Sequence, residues 1–313
     1  MFKRIVFFVL ISSSAIVFSQ SEITEHELKT HILFLTSEAN KGRAPGGETN
    51  RKVVRYLKKE FKKAGLKPVK QSFVAKLRAL EKTPKLREKT WNVVAYIEGN
   101  DEQLKKEVIV LGAHYDHLGL GGPSSKSDKK NTIHGGADDN ASGTAALLEI
   151  AEKIASQKHQ LKRSVIFIAF GAEEHGLLGS KFFVENPLVP LSQIKLMINM
   201  DMVGRLNDKK HVYMGGAGTF PDGVSFMNEL GVALHLTPVV HAGGVGGSDH
   251  VSFYEKNISV LGIHTGGHPQ YHTPEDTIDL INFKGHKQVS EYVFQTIMKL
   301  VSTDYELKFI RQN

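Results

Sequence analysis

Apolar residues in the first part of the chain recur at helical spacing. Leu28, Ile32 and Leu35 share one face of a predicted helix, and Thr24 with Glu27 three residues on forms the capping box that opens it. Val54, Leu57, Phe61 and Ala64 define a second helix, ended by Gly65, whose Lys and Arg residues face water. The Gly- and Pro-containing stretch 41–47 predicts the loop between them. Further on the pattern changes. Short, continuous, β-rich runs at 92–97, 108–113, 165–170, 196–200 and 259–263 alternate with helical segments at 141–154, 177–184 and 248–254, and a last amphipathic helix is predicted over about 283–301. A strand apolar at every position is buried on both faces, and strands interleaved with helices are joined by crossovers. The prediction is therefore an α/β fold of three layers, α/β/α, with a mainly parallel, mixed central sheet. The charged stretch 73–89 around Pro84 reads as a hairpin excursion before the first of these strands. No repeat or Pro-rich linker interrupts the chain, so residues 20–313 read as a single domain.

The N-terminus changes the picture of where that domain works. Lys3 and Arg4 precede an apolar run over 5–18, shorter than the roughly 20 residues a bilayer crossing needs, and Val17 and Ser19 supply small residues at a cleavage position. Residues 1–19 are read as a secretory signal peptide, and the mature chain is expected to be exported, periplasmic or extracellular, without stable membrane insertion. Loss of Lys3 and Arg4 lowers the formal charge from +7 to +5, and the remaining excess is spread along the chain, which argues against nucleic acid as a partner. With 41% hydrophobic and 23% charged residues the 313-residue chain is neither disordered nor fibrous, and with no Cys its core must form without cross-links.

In a sheet of this kind ligands bind beyond the carboxyl ends of the strands. Five strand ends there carry hard-oxygen and imidazole donors. His114-Tyr115-Asp116 follows 108–113, with Asp116 placed to accept the second ring N–H of His114. Gly136-Ala137-Asp138-Asp139-Asn140-Ala141-Ser142-Gly143 opens a helix, where an acid is also an ordinary cap. Glu173 and Glu174 stand side by side after 165–170, and their mutual repulsion calls for a nearby cation. Asp201 sits between Met200 and Met202 and is expected to be buried, and His272 follows a Gly-rich turn. Two His and three carboxylates can hold two ions if one carboxylate bridges, which leaves a position for a shared water and a spare carboxylate, Glu173 or Glu174, as general base.

These motifs, in this order over roughly residues 90–280 and with the Gly42-Arg43 loop, resemble the zinc aminopeptidases of peptidase family M28. The resemblance implies a zinc-peptidase (phosphorylase/hydrolase-like) fold and two Zn²⁺ per chain. By it, His114 and Asp201 hold one zinc, Glu174 and His272 the other, Asp139 bridges, Glu173 is the general base and Asp116 orients His114. Asp138 is left as a cap or supporting group. Peptide or protein N-termini are the implied substrates. Glutaminyl cyclases resemble the same fold with a single zinc, and non-catalytic receptor domains look like it too, but Tyr271 before His272 and the intact ligand set favour the peptidase. His117, His134, His175, His250, His264 and His268 lie near the motifs as surplus to a full ligand set. Of these His250 is the one expected to line the pocket, with Asp249 offered for the substrate's amino group. The long loop 120–135 is expected to flank the site.

Overall fold

Thr24 caps helix α1 (Glu25–Thr36), its Oγ1 accepting the Glu27 amide at 3.1 Å and donating to Glu27 Oε2 at 2.7 Å. The computed structural model describes residues 21–77 and 86–312; the predicted signal peptide and the tip of the hairpin excursion at 78–85 lie outside the described residues. Helix α2 (Gly47–Lys63) buries Val53, Val54, Leu57 and Phe61 and turns its basic residues outward. Strands β1 (Val69–Lys76) and β2 (Arg87–Ile97) then pair antiparallel, so the excursion is a hairpin in its described arms. The second strand starts ahead of its apolar run because Arg87, Glu88 and Lys89 pair with β1.

The remaining elements are β3 (Val108–His114), α3 (Gly143–Ser156), β4 (Ser164–Phe170), α4 (Leu178–Glu185), β5 (Ile194–Met200), β6 (His211–Gly215), α5 (Gly223–Ala233), β7 (Thr237–Val240), α6 (His250–Tyr254), β8 (Ser259–His264) and α7 (Phe283–Ser302). They form one mixed eight-stranded sheet in the order β1-β2-β4-β3-β5-β8-β6-β7. The predicted parallel sheet is its centre: β4, β3, β5 and β8 are mutually parallel, whereas β2 joins β4 and β6 joins β8 antiparallel. Alternate strand residues feed opposite layers. Ile109, Leu111, Phe167 and Ile198 pack with α1, α2, α3, α5 and α7, while Val110, Ile166, Ile168 and Met197 pack against Phe183 of α4 and Phe253 of α6. That two-sided burial is why these strands read as unbroken apolar runs.

Three elements were not predicted. In β6 only Val212 and Met214 are buried, β7 is an edge strand in which Pro238 is tolerated because no further strand needs its amide, and α5 carries Gly at both ends of its apolar stretch. Among the described residues no helix is long and apolar enough to cross a membrane.

Candidate metal centre

His114 is the last residue of β3, buried, and its ring is fixed by Asp116, two residues further along the chain. Nδ1 lies 3.2 Å from the Asp116 carbonyl and 3.9 Å from Asp116 Oδ1, which turns Nε2 toward Asp139 Oδ1 at 3.3 Å and Asp201 Oδ1 at 3.4 Å. The backbone of Asp116 therefore holds the ring more closely than the carboxylate expected to do so. The carboxylate instead accepts the Glu173 amide at 3.0 Å and so fixes the turn that carries both glutamates. Burial pushes Asp116 up to about 6, against the pull of His114.

Asp139 stands in a widened helical turn over Ala137–Ser142, ahead of α3, where the Asp139–Asn140 peptide is cis. Asp276 anchors this turn by accepting the amides of Asp138 and Asp139, each at 3.0 Å to Oδ2. Asp138 supports the turn as expected, its Oδ1 accepting the Gly204 amide at 2.7 Å. Asn140 ties the turn to the end of β5 by donating to the Met200 carbonyl at 2.9 Å. Gly136, at φ +56°, has no substitute here, since a Cβ would fall 2.1 Å from the Asp139 carbonyl oxygen and 2.5 Å from His117 Cδ2. Arg43 sits fully buried beneath the same turn, and its guanidinium donates to the carbonyls of Tyr115, Leu35, Gly135 and Gly136. Burial lowers it to about 10, against the pull of Asp139, Asp116, Asp276 and Glu174, so it keeps its charge at neutral pH. Arg43→Met would remove the guanidinium donor from four carbonyls, of which Gly136 keeps the Ala141 amide, and should cost about 3–5 kcal/mol or prevent folding. Urea denaturation checks this, and an unchanged midpoint would contradict the clamp.

The other donors complete the arrangement. Glu174 places Oε1 2.7 Å from His117 Nδ1 and Oε2 3.2 Å from His272 Nε2, and His272 Nε2 lies 3.1 Å from Asp139 Oδ2. Loop 120–135 flanks the site as expected: the Ser124 carbonyl lies 2.9 Å from His272 Nδ1 and orients that ring. Asp201 is not the buried acid expected from its apolar neighbours, since its side chain is 23% exposed and faces the cleft. Ala172, Met202 and His272 are non-glycine residues at φ 62°, 59° and 62° beside or within the donor set. Left-handed backbone of this kind costs about 1–3 kcal/mol per residue, and it concentrates at functional sites.

The ends of four strands, β3, β4, β5 and β8, and the turn ahead of α3 thus bring all the predicted donors together, in two groups that share Asp139: His114, Asp139 and Asp201, and His117, Asp139 and Glu174, with His272 touching the second. His117 is the addition; its place three residues after His114 in one strand-end loop was the available signal. Burial would lower His114, yet Asp201, Glu173 and Asp139 hold it well above its ordinary value, and Asp139 and Glu174 hold His272 at about 10 against burial. Burial opposes the ionised form of Glu174, as does Asp139, but His117 and His272 bring it to about 2. His272 Nε2 has no hydrogen-bond partner despite two carboxylate oxygens near 3 Å. Carboxylates and imidazoles that converge while leaving His272 Nε2 unpaired fit a divalent cation at their common focus, and imidazole with carboxylate suits zinc. Two lobes of a cleft open from this point, about 440 Å³ on the side of His250 and His264 and about 450 Å³ on the side of Leu177 and Val251. His250 lines the first lobe as expected, while Asp249 is fully buried and takes no part in either wall.

The solved structures that share this fold include zinc aminopeptidases. The zinc aminopeptidase BSAP of Bacillus subtilis superposes with a TM-score of 0.74 at 18% identity, covering 93% of this chain and 99% of its own. The LapA aminopeptidase of Legionella pneumophila gives 0.68 at 24% identity, over 90% of this chain and 73% of its own. The glutaminyl cyclase of Porphyromonas gingivalis gives 0.74 at 20% identity, over 90% and 100%. The chain belongs to peptidase family M28, whose profile matches residues 92–297. Among characterised sequences, leucine aminopeptidase 2 of Trichophyton rubrum is 32% identical over 191 residues, and aminopeptidase YwaD of Bacillus subtilis 29% over 225 residues. These alignments cover 56% and 66% of this chain but only 34% and 44% of the relatives, so the chain spans less than half the length of either.

Proposed function

We propose that the chain is an exported zinc-dependent aminopeptidase that hydrolyses the N-terminal peptide bond of peptides. The observation that carries this reading is the position of Asp139, whose Oδ1 faces His114 at 3.3 Å and whose Oδ2 faces His272 at 3.1 Å. One carboxylate directed at two imidazoles is what a pair of neighbouring ions needs. His114 and Asp201 would hold one zinc, Glu174 and His272 the other, and Asp139 both. Bound there, the two ions would supply Lewis acidity, lowering the pKa of a water and polarising the scissile carbonyl. Glu173 is then the proton carrier. Its Oε2 lies 4.0 Å from His114 Nε2, at the edge of the donor set and in the wall of both lobes, where it takes the water's proton and passes it to the leaving amine. Asp116 keeps that carboxylate in place through the Glu173 amide.

A cyclase-like alternative keeps one zinc on Asp139, Glu174 and His272. The complete second group of donors, His114 and Asp201, favours the peptidase. An assay of the zinc-loaded protein decides between them. Release of anilines from aminoacyl anilides with a free amine, and not from N-blocked ones, is expected; ammonia from Gln-initiated peptides without hydrolysis would replace this reading by the cyclase. Intact mass of the exported chain should start at Gln20, and Met1 retained there would refute signal cleavage.

A further inference from the structure

We propose that the lobe of the cleft beside His250 and His264 receives a carboxylate, and that Lys126 is the cation that reads it. The inference rests on the aminopeptidase reading and names the substrate chemistry of that site. Here, outside the donor set and among the described residues, the only aliphatic side chains in the wall are Met202 and Ile263; His250, His264, His268 and Tyr271 supply most of the rest, with glycines between them. His250 is 4% exposed and its Nδ1 has no hydrogen-bond partner. Neither ring nitrogen of His268 is hydrogen-bonded, although Nε2 lies 3.3 Å from Asp138 Oδ2. These nitrogens are buried within the wall, so the charge that an entering group meets comes from the side chains that reach the cavity surface.

Lys126 decides between a neutral and an anionic oxygen. Its amide donates to the His272 carbonyl at 3.0 Å and its ammonium lies 4.1 Å over the Tyr271 ring, which itself stacks on His272 at 3.8 Å. The lysine is thus held against the wall by the neighbours of a proposed zinc ligand. Among the described residues it forms no ion pair, whereas Lys129 on the same loop pairs with Glu275. The other charged groups in this lobe are Asp139, Glu173 and Asp201, all of which belong to the zinc-binding and proton-carrying set. With their charge, and that of Glu174, balanced by two dications, the ammonium is the charge left on the wall.

The carboxylate can come from an N-terminal Asp or Glu side chain or from the C-terminus of a very short peptide. Two pairs separate these sources: Glu- against Gln-p-nitroanilide, and Leu-Gly against Leu-Gly-amide. For the true source the charged member should show about tenfold higher kcat/KM than its neutral twin, the preference should vanish in Lys126→Met, and it should return in Lys126→Arg. Calorimetric titration of the same compounds into zinc-loaded Glu173→Gln protein reads the preference without turnover. Charge preference in binding with no hydrolysis by the wild type would refute the aminopeptidase reading and leave this inference standing. Charge ratios within twofold of unity, or unchanged by Lys126→Met, in both pairs would overturn it.

Discussion

Glu173→Gln should lower kcat by about 10²–10⁴-fold while zinc content stays at the wild-type level. The amide keeps the volume of the acid and the backbone bond from the Glu173 amide to Asp116 Oδ1, so the turn after β4 should be undisturbed. What it loses is the ability to accept a proton. Burial pushes this carboxyl well above the ordinary glutamate value; His114 pulls it down, and Glu174, Asp249 and Asp201 raise it again. A base acts only when deprotonated, so wild-type activity should fall as pH drops through the pKa of Glu173, with bound cations moving that limb toward lower pH. The limb should be absent from the residual activity of the variant. Elemental analysis with pH-dependent kinetics makes the comparison, and a variant within tenfold of wild type would remove Glu173 from the proton-carrying role.

How far the sequence determined this picture depends on what each feature needs. The central strands were legible because both faces are buried, so Val110 and Leu111 are apolar alike although they enter different layers. β7 was not, because an edge strand four residues long with Pro238 leaves no run to see. The donor positions were legible as strand-end clusters in a fixed order. Their orientation was not: which atom of Asp116 meets His114 depends on the torsion of the chain as it leaves the sheet, and the backbone carbonyl is the nearer. Arg43 was part of a fitting loop in the sequence, but its four carbonyl partners come from Leu35, Tyr115, Gly135 and Gly136, residues brought together only by the fold. Lys126 likewise gains its place from pairing with residue 272, far along the chain. Local spacing records what a residue can do, and long-range packing settles toward which partner it does it.

The sharpest consequence of a shared carboxylate lies in metal stoichiometry. Asp139→Asn should reduce binding of both ions, from a saturating value of about two per chain to well under one, because a neutral amide withdraws one negative charge from both positions. His114→Ala or Asp201→Ala should mainly empty one position, since the other ion keeps Glu174, His272 and Asp139. His272→Ala should do the reverse. His117→Ala should cost less than His272→Ala: His117 Nδ1 is already engaged by Glu174 Oε1 at 2.7 Å, whereas His272 Nε2 faces two carboxylates and bonds to neither. The fold need not collapse when the charge is removed, because the turn carrying Asp139 is held by Asp276 and Asn140 through groups that the substitution leaves in place. Circular dichroism on each variant separates metal loss from unfolding, and zinc is counted after dialysis against excess ion. A saturating value of one per chain that His114→Ala leaves unchanged would mean that Asp139 serves a single ion with Glu174 and His272, and the two-ion mechanism would fall with it.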